Sequence, residues 1–300
     1  MTAVLSAFLV SLLFVLSVYI WPSHLLRWVK GFRHPKSACQ FLFPVSNFVV
    51  IFETVLTRRR DHPETIKRRF ISVVSITVLS LWYLSWAYDL SIKSQLFPQE
   101  INLWHVYKTI LRPLWITICF FAGHILAIAI YRQAECKKKI KTASNRFLVI
   151  LRNYFIAPAS EEITYRLVIN QILHLSQFKP FSSSLISSSL FSLAHSHHYL
   201  LRNYTGYHVN LAIAFCQIFY TFLFALYASV IYWQSESVWG CIVLHSFCNL
   251  LEFPDFELIN SDRRLFYTTI VGLIAGFGQL AIWCQKMNYW FWLIFVRFQH

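Results

Sequence analysis

The stretch Phe70-Ile-Ser-Val-Val-Ser-Ile-Thr-Val-Leu-Ser-Leu-Trp-Tyr-Leu-Ser-Trp-Ala-Tyr88 contains no charged residue. As an α-helix it is about 28 Å long, close to the thickness of a bilayer's hydrocarbon core. Arg58, Arg59, Arg60, Lys67, Arg68 and Arg69 precede it. A second span runs from Leu114 to Tyr131, and Lys137, Lys138, Lys139 and Lys141 follow. Two crossings separate these basic loops, so both loops lie on one side, and their charge marks that side as cytosolic.

Working outward, Ala3 to Trp21 is also free of charge. No basic region precedes it and it is long for a signal peptide, so it reads as a signal-anchor span. Arg27, Lys30, Arg33 and Lys36 follow. Phe41 to Leu56 is shorter, is interrupted by Pro44 and Glu53, and either crosses or dips into the membrane. The second half offers helices over roughly 147–157, 161–175, 183–200, 209–233, 238–252 and 266–285, with an aromatic-rich tail at 289–298. Several are too short to span alone, and short helices in a membrane bundle line a cavity. The expected fold is all-α, a polytopic transmembrane bundle of about eight membrane helices around a polar intramembrane cavity. Residues 1–57 form an N-terminal anchor region and 58–300 a single membrane domain with no soluble domain.

Composition agrees. The 300 residues are 57% hydrophobic but only 13% charged, against about a quarter charged in soluble chains. The net charge of +14 sits mostly in short loops between apolar spans. That is the positive-inside pattern, with attraction to anionic membrane lipid, rather than a nucleic-acid footprint. The seven cysteines are odd in number and contain no CxxC pair, which argues against a disulfide framework or a cysteine-based zinc site.

Ionisable residues among apolar ones are costly and default to a functional reading. Ala157-Pro158-Ala159-Ser160-Glu161-Glu162-Ile163-Thr164-Tyr165-Arg166 reads as a helix start, with Pro158 and Ser160 at its head and two carboxylates in its first turn. Glu162 and Arg166 are four apart and can pair, while Glu161 lies about 100° around the helix and is left to act as a base. The bland alternative is a capped helix with a surface ion pair. Phe191-Ser-Leu-Ala-His195-Ser-His197-His198 follows a Ser-rich apolar helix; His195 and His198 share a face. An exposed helix end is the alternative there. His245-Ser-Phe-Cys-Asn249 lies inside an apolar run, and its two polar side chains share a face and can donate to one point, as an oxyanion site requires. An interhelical polar clamp is the rival reading.

Taken together, Glu161-Glu162-x-x-x-Arg166, Phe191-x-x-x-His195 and His245-x-x-x-Asn249 resemble, in order, the EExxxR, FxxxH and HxxxN motifs of the type II CAAX prenyl protease family. Arg60-Asp61-His62-Pro63, Arg152-Asn153, Trp239-Gly240 and Phe253-Pro254 look like the eukaryotic branch. The resemblance runs from about residue 58 to 255. Ala157, where relatives often carry Gly, and Leu251-Glu252 depart from it beside the motifs. The resemblance implies an intramembrane endopeptidase that removes the last three residues of prenylated CAAX proteins such as Ras, Rho-type GTPases and G-protein gamma subunits. It implies a multi-pass protein of the endoplasmic reticulum membrane, with a site reached from the cytosolic side and no cofactor or metal.

Peptide hydrolysis needs an activated water and a stabilised oxyanion. The expected assignment has Glu161 as general base, holding water with His195, and His245 and Asn249 at the oxyanion. Glu162 and Arg166 orient the site, and His198 supports it. Three alternatives stay open. Glu161, His195 and His245 could hold zinc, although no HExxH is present. Cys248, three residues after His245, could be a nucleophile, although an apolar run disfavours its thiolate. The chain could also be a non-catalytic membrane scaffold or a transporter whose polar residues line a path.

Overall fold

A computed structural model describes residues 2–18, 63–97, 102–131, 146–196 and 211–285. The expected span at 41–56, the Lys137–Lys141 loop, His197, His198 and the tail at 289–298 lie outside these residues. Every regular element among the described residues is a helix. They are α1 (Thr2–Ser17), α2 (Pro63–Tyr88), α3 (Ile92–Leu96), α4 (Leu103–Phe120), α5 (Ala122–Tyr131), α6 (residues 146–175), α7 (Pro180–His195), α8 (Leu211–Ser235), α9 (Val238–Leu251), α10 (Phe256–Ser261) and α11 (Arg263–Gln285).

Within the described residues three helices are long and apolar enough to cross a membrane: α2, α8 from Ala214 to Ser235, and α11 from Arg263 to Cys284. The pair α4 and α5, bent by 70° at Phe121, is either a fourth, broken span or a re-entrant loop. The helices α1 and α9 are apolar but shorter. This gives three or four crossings among the described residues, where about eight were expected from sequence.

The surface is apolar, and the interior holds polar side chains among its apolar ones. Trp82, Trp86, Val271, Ile274 and Phe277 point outward, each more than half exposed, while Glu162, Arg166, Asn170, Ser183, Ser187 and Ser188 have no exposed surface. A water-soluble surface rarely carries apolar area on this scale. In lipid the pattern is expected, because apolar side chains gain nothing by leaving hydrocarbon for one another. Helices are then joined by close packing and by polar contacts. Both are present. Ser11 and Tyr165 hydroxyls meet at 3.0 Å, linking α1 to α6. Ser187 donates to the Tyr165 carbonyl at 2.7 Å, linking α7 to α6. Gly240 in α9 lies so close to α4 that a Cβ there would overlap the Thr109 carbonyl oxygen.

Helix limits follow local chemistry. Pro63 opens α2, where its missing N–H costs nothing, with Glu64 in the first turn. The chain leaves α2 through Asp89 at φ 50°, a left-handed position that Asp tolerates better than most residues. Ser237 caps α9 by accepting from the Trp239 N–H at 3.3 Å.

One sequence expectation is corrected here. Pro158 and Ser160 do not start a helix. Residues 146–175 form one continuous helix with two π segments, Arg152–Ile156 and Ile163–Ile169. A proline inside a helix removes a donor and crowds the carbonyl four residues back. The first π turn absorbs this: the Ala157 N–H bonds to the Arg152 carbonyl, five residues back. The carbonyls of Asn153 and Tyr154 then lack helical donors, and α9 supplies them. Asn249 Nδ2 donates to the Asn153 oxygen at 2.9 Å, and Ser246 Oγ donates to the Tyr154 oxygen at 2.7 Å. Glu161 and Glu162 therefore sit between two π segments, deep in a helix rather than at its mouth.

Candidate active site

Three helices meet at the carboxylates. From α6, Glu162 and Arg166 form a fully buried pair, with Arg166 Nε 2.8 Å from Glu162 Oε2. The guanidinium carbon sits 4.9 Å from the centre of the Phe191 ring on α7, a cation–π contact. From α9, His245 Nδ1 donates to the other Glu162 oxygen, Oε1, at 2.7 Å. Glu162 is thus held at both oxygens. Its partner Arg166 compensates the charge, without which burial of a carboxylate would be prohibitive.

Glu161 is placed differently. Its side chain is about one-fifth exposed (21%). Its Oε2 lies 3.9 Å from His195 Nε2 and 3.8 Å from His245 Nε2. These separations are too long for direct hydrogen bonds and suit a small bridging molecule. Both imidazoles are oriented from behind. His195 Nδ1 donates to the Phe191 carbonyl at 2.8 Å, one turn back in α7. His245 Nδ1 is occupied by Glu162. With Nδ1 engaged in each ring, each imidazole turns its Nε2 edge toward Glu161. Aromatic walls complete the surroundings: Phe224 on α8 stands 5.0 Å from the His245 ring, and Phe191 stands 4.5 Å from His195.

The structure therefore brings together Glu161, Glu162, Arg166, His195 and His245, residues up to 84 positions apart in the chain. Glu162 is paired to Arg166, and Glu161 is turned elsewhere. Asn249 lies on the same helix as His245, one turn on, and its amide is engaged by the Asn153 backbone. His198 lies outside the described residues. Sequence reading missed two contributors: Ser246, which holds the Tyr154 carbonyl, and the Phe224 wall. Only the position of Ser246 inside the His245–Asn249 motif hinted at the first. Among the described residues no group of three His, Cys, Asp or Glu side chains is close enough to hold a metal ion as it stands.

A helical protein with membrane-capable helices and a partly exposed carboxylate facing two oriented imidazoles belongs to the class of membrane proteins with a polar internal site. The particular relationship is visible in comparison with known proteins. The profile of the family described as "Type II CAAX prenyl endopeptidase Rce1-like" matches residues 143–251, which include all three motifs. The human protein named CAAX prenyl protease 2 is 28% identical over 280 residues, covering 87% of this chain and 82% of its own length. Its Arabidopsis thaliana counterpart is 25% identical over 247 residues, covering 72% and 77%. The Saccharomyces cerevisiae counterpart is 26% identical over 249 residues, covering 73% and 78%. The chain is thus similar along most of its length to proteins named CAAX prenyl protease 2, and over residues 143–251 to the type II CAAX prenyl endopeptidase family model. No solved structure matches it significantly.

Proposed function

We propose that this chain is an intramembrane endopeptidase that removes the C-terminal three residues from prenylated CAAX proteins of the Ras, Rho-type and G-gamma-like kinds. One observation carries the reading: a partly exposed carboxylate, Glu161, faces the Nε2 atoms of two imidazoles at water-bridging distance. The names of the relatives supply the substrate class.

Glu161 is the general base. A water between Glu161 and His195 gives its proton to the carboxylate as it attacks the scissile carbonyl, and the proton passes on to the leaving amine. His245 polarises that carbonyl. To donate from Nε2 it must carry a second proton, and the Glu162 carboxylate behind Nδ1 supports the resulting imidazolium, much as a buried Asp supports a triad histidine. Asn249 has two amide hydrogens; one is spent on Asn153, and the other serves the oxyanion. Glu162 and Arg166 fix His245, and His198 assists near the end of α7. The enzyme sits in the endoplasmic reticulum membrane with the site open to the cytosolic side. The apolar surroundings admit the prenyl chain from lipid. Residues 1–57 serve as an anchor to the catalytic membrane domain 58–300.

The test uses membranes containing the full chain and a farnesylated CAAX peptide, with tripeptide release as readout. Cleavage that needs both the farnesyl group and Glu161 supports the reading; release by Glu161→Ala at the wild-type rate overturns the role of Glu161. A zinc-dependent version of the same reaction is favoured by one observation, the approach of both Nε2 atoms to one carboxylate oxygen. Stoichiometric zinc in purified protein, with activity lost to chelator and restored by zinc, selects it.

A further inference from the structure

Beneath the Glu162–Arg166 pair lies a second polar cluster. Arg166 Nη1 and Nη2, Asn170 Nδ2 and Oδ1, Ser188 Oγ and Ser229 Oγ are all buried and have no partner among the described residues. The four residues have no exposed surface. Unpartnered buried polar atoms are rare, and each costs free energy until something satisfies it.

Interhelical hydrogen bonds bring these groups to one level of the bundle. The helices α7 and α8 run antiparallel: Ser192 Oγ donates to the Ile218 carbonyl at 2.5 Å, while Trp233 Nε1 donates to Ser184 Oγ at 3.0 Å. One turn on from Ser184 is Ser188, and one turn back from Trp233 is Ser229, so the two hydroxyls occupy facing positions. On α6, Gln171 Nε2 donates to the Tyr232 hydroxyl at 2.7 Å, which sets its neighbour Asn170 beside the Ser229 turn. Arg166, four residues before Asn170, lies against Phe191, one turn from Ser188.

The donor and acceptor balance identifies the guest. The guanidinium needs acceptors, but Asn170 Oδ1 needs a donor, which a halide cannot supply. A cation is repelled by Arg166. Water does both. We propose that Asn170, Ser188 and Ser229 hold bound water against the far side of the Arg166 guanidinium, and so act as positioning residues for the chain Arg166–Glu162–His245. Its catalytic consequence rests on the peptidase reading; the water site itself does not.

Ser188→Ala, Ser229→Ala and the double variant of the full chain are compared in detergent and in the cleavage assay. If water joins the two hydroxyls, each single variant lowers Tm by about 2–4 °C, and the double variant loses less than the sum. Each also lowers kcat by about fivefold with KM unchanged, because substrate contacts are intact. If the hydroxyls are dry, removing them relieves a desolvated group and Tm stays or rises, which overturns the proposal. Additive losses overturn the shared site. A Tm loss of the same size in wild type on replacing chloride by gluconate assigns the seat to an anion and overturns it too. Failure of wild type to release tripeptide refutes the peptidase reading, while the Tm comparison still decides the water site.

Discussion

Glu161 and Glu162 are adjacent in sequence and opposite in circumstance. Glu162 touches Arg166 and His245 and sees no solvent, while Glu161 is partly open between two rings. Substitution should separate them. Glu161→Gln keeps the shape and removes the base, so tripeptide release should fall by about 10²–10⁴-fold at unchanged Tm. Glu162→Leu strands the Arg166 charge in the interior and should cost about 3–5 kcal/mol, seen as lost thermal stability or lost expression. Cys248→Ala should leave cleavage intact, as measured in the same assay. This asymmetry was legible in the sequence, because the four-residue interval between Glu162 and Arg166 leaves Glu161 on another face. The engagement of Asn249 with the Asn153 carbonyl was not. That contact answers a vacancy in the hydrogen bonding of α6, created by Pro158, and no feature of α9 records it.

At the scale of elements, the packing of α9 on α4 and α6 sets where His245 stands. Gly240 meets the Thr109 carbonyl in the third π segment, Tyr107–Leu111. Gly240→Ala must push α9 away from backbone that cannot yield, and should cost about 1–3 kcal/mol in thermal unfolding and reduce cleavage by tilting His245. The existence of α2, α8, α9 and α11 could be read from apolar runs, because length and absence of charge are local properties. The continuity of α6 could not. Proline followed by serine and two acids is the chemistry of a helix start, and only a tertiary partner, Ser246 on α9, makes the same residues acceptable in a helix interior.

For the molecule as a whole, the polar side chains inside and the apolar exterior mean that lipid is part of its folded environment. Trp82, Trp86, Trp115 and Trp239 are all exposed on the outer surface. Brominated acyl chains should therefore quench most of the intrinsic fluorescence in reconstituted vesicles, and alkaline carbonate should fail to extract the protein. Retained fluorescence in brominated lipid would contradict a bilayer setting. The two π segments of α6 carry one further consequence, best expressed in codons. A π turn holds a residue more than an α turn, and such bulges recur at functional sites. Deleting one codon within residues 163–169 removes the surplus residue, so the segment can close into an α-helix with its flanks near their former register. A deletion in the α-helical turn Ala157–Glu162 has no surplus to absorb it and rotates the two sides of the site by about 100° against each other, so the same loss of one codon is tolerated or ruinous according to which turn it falls in.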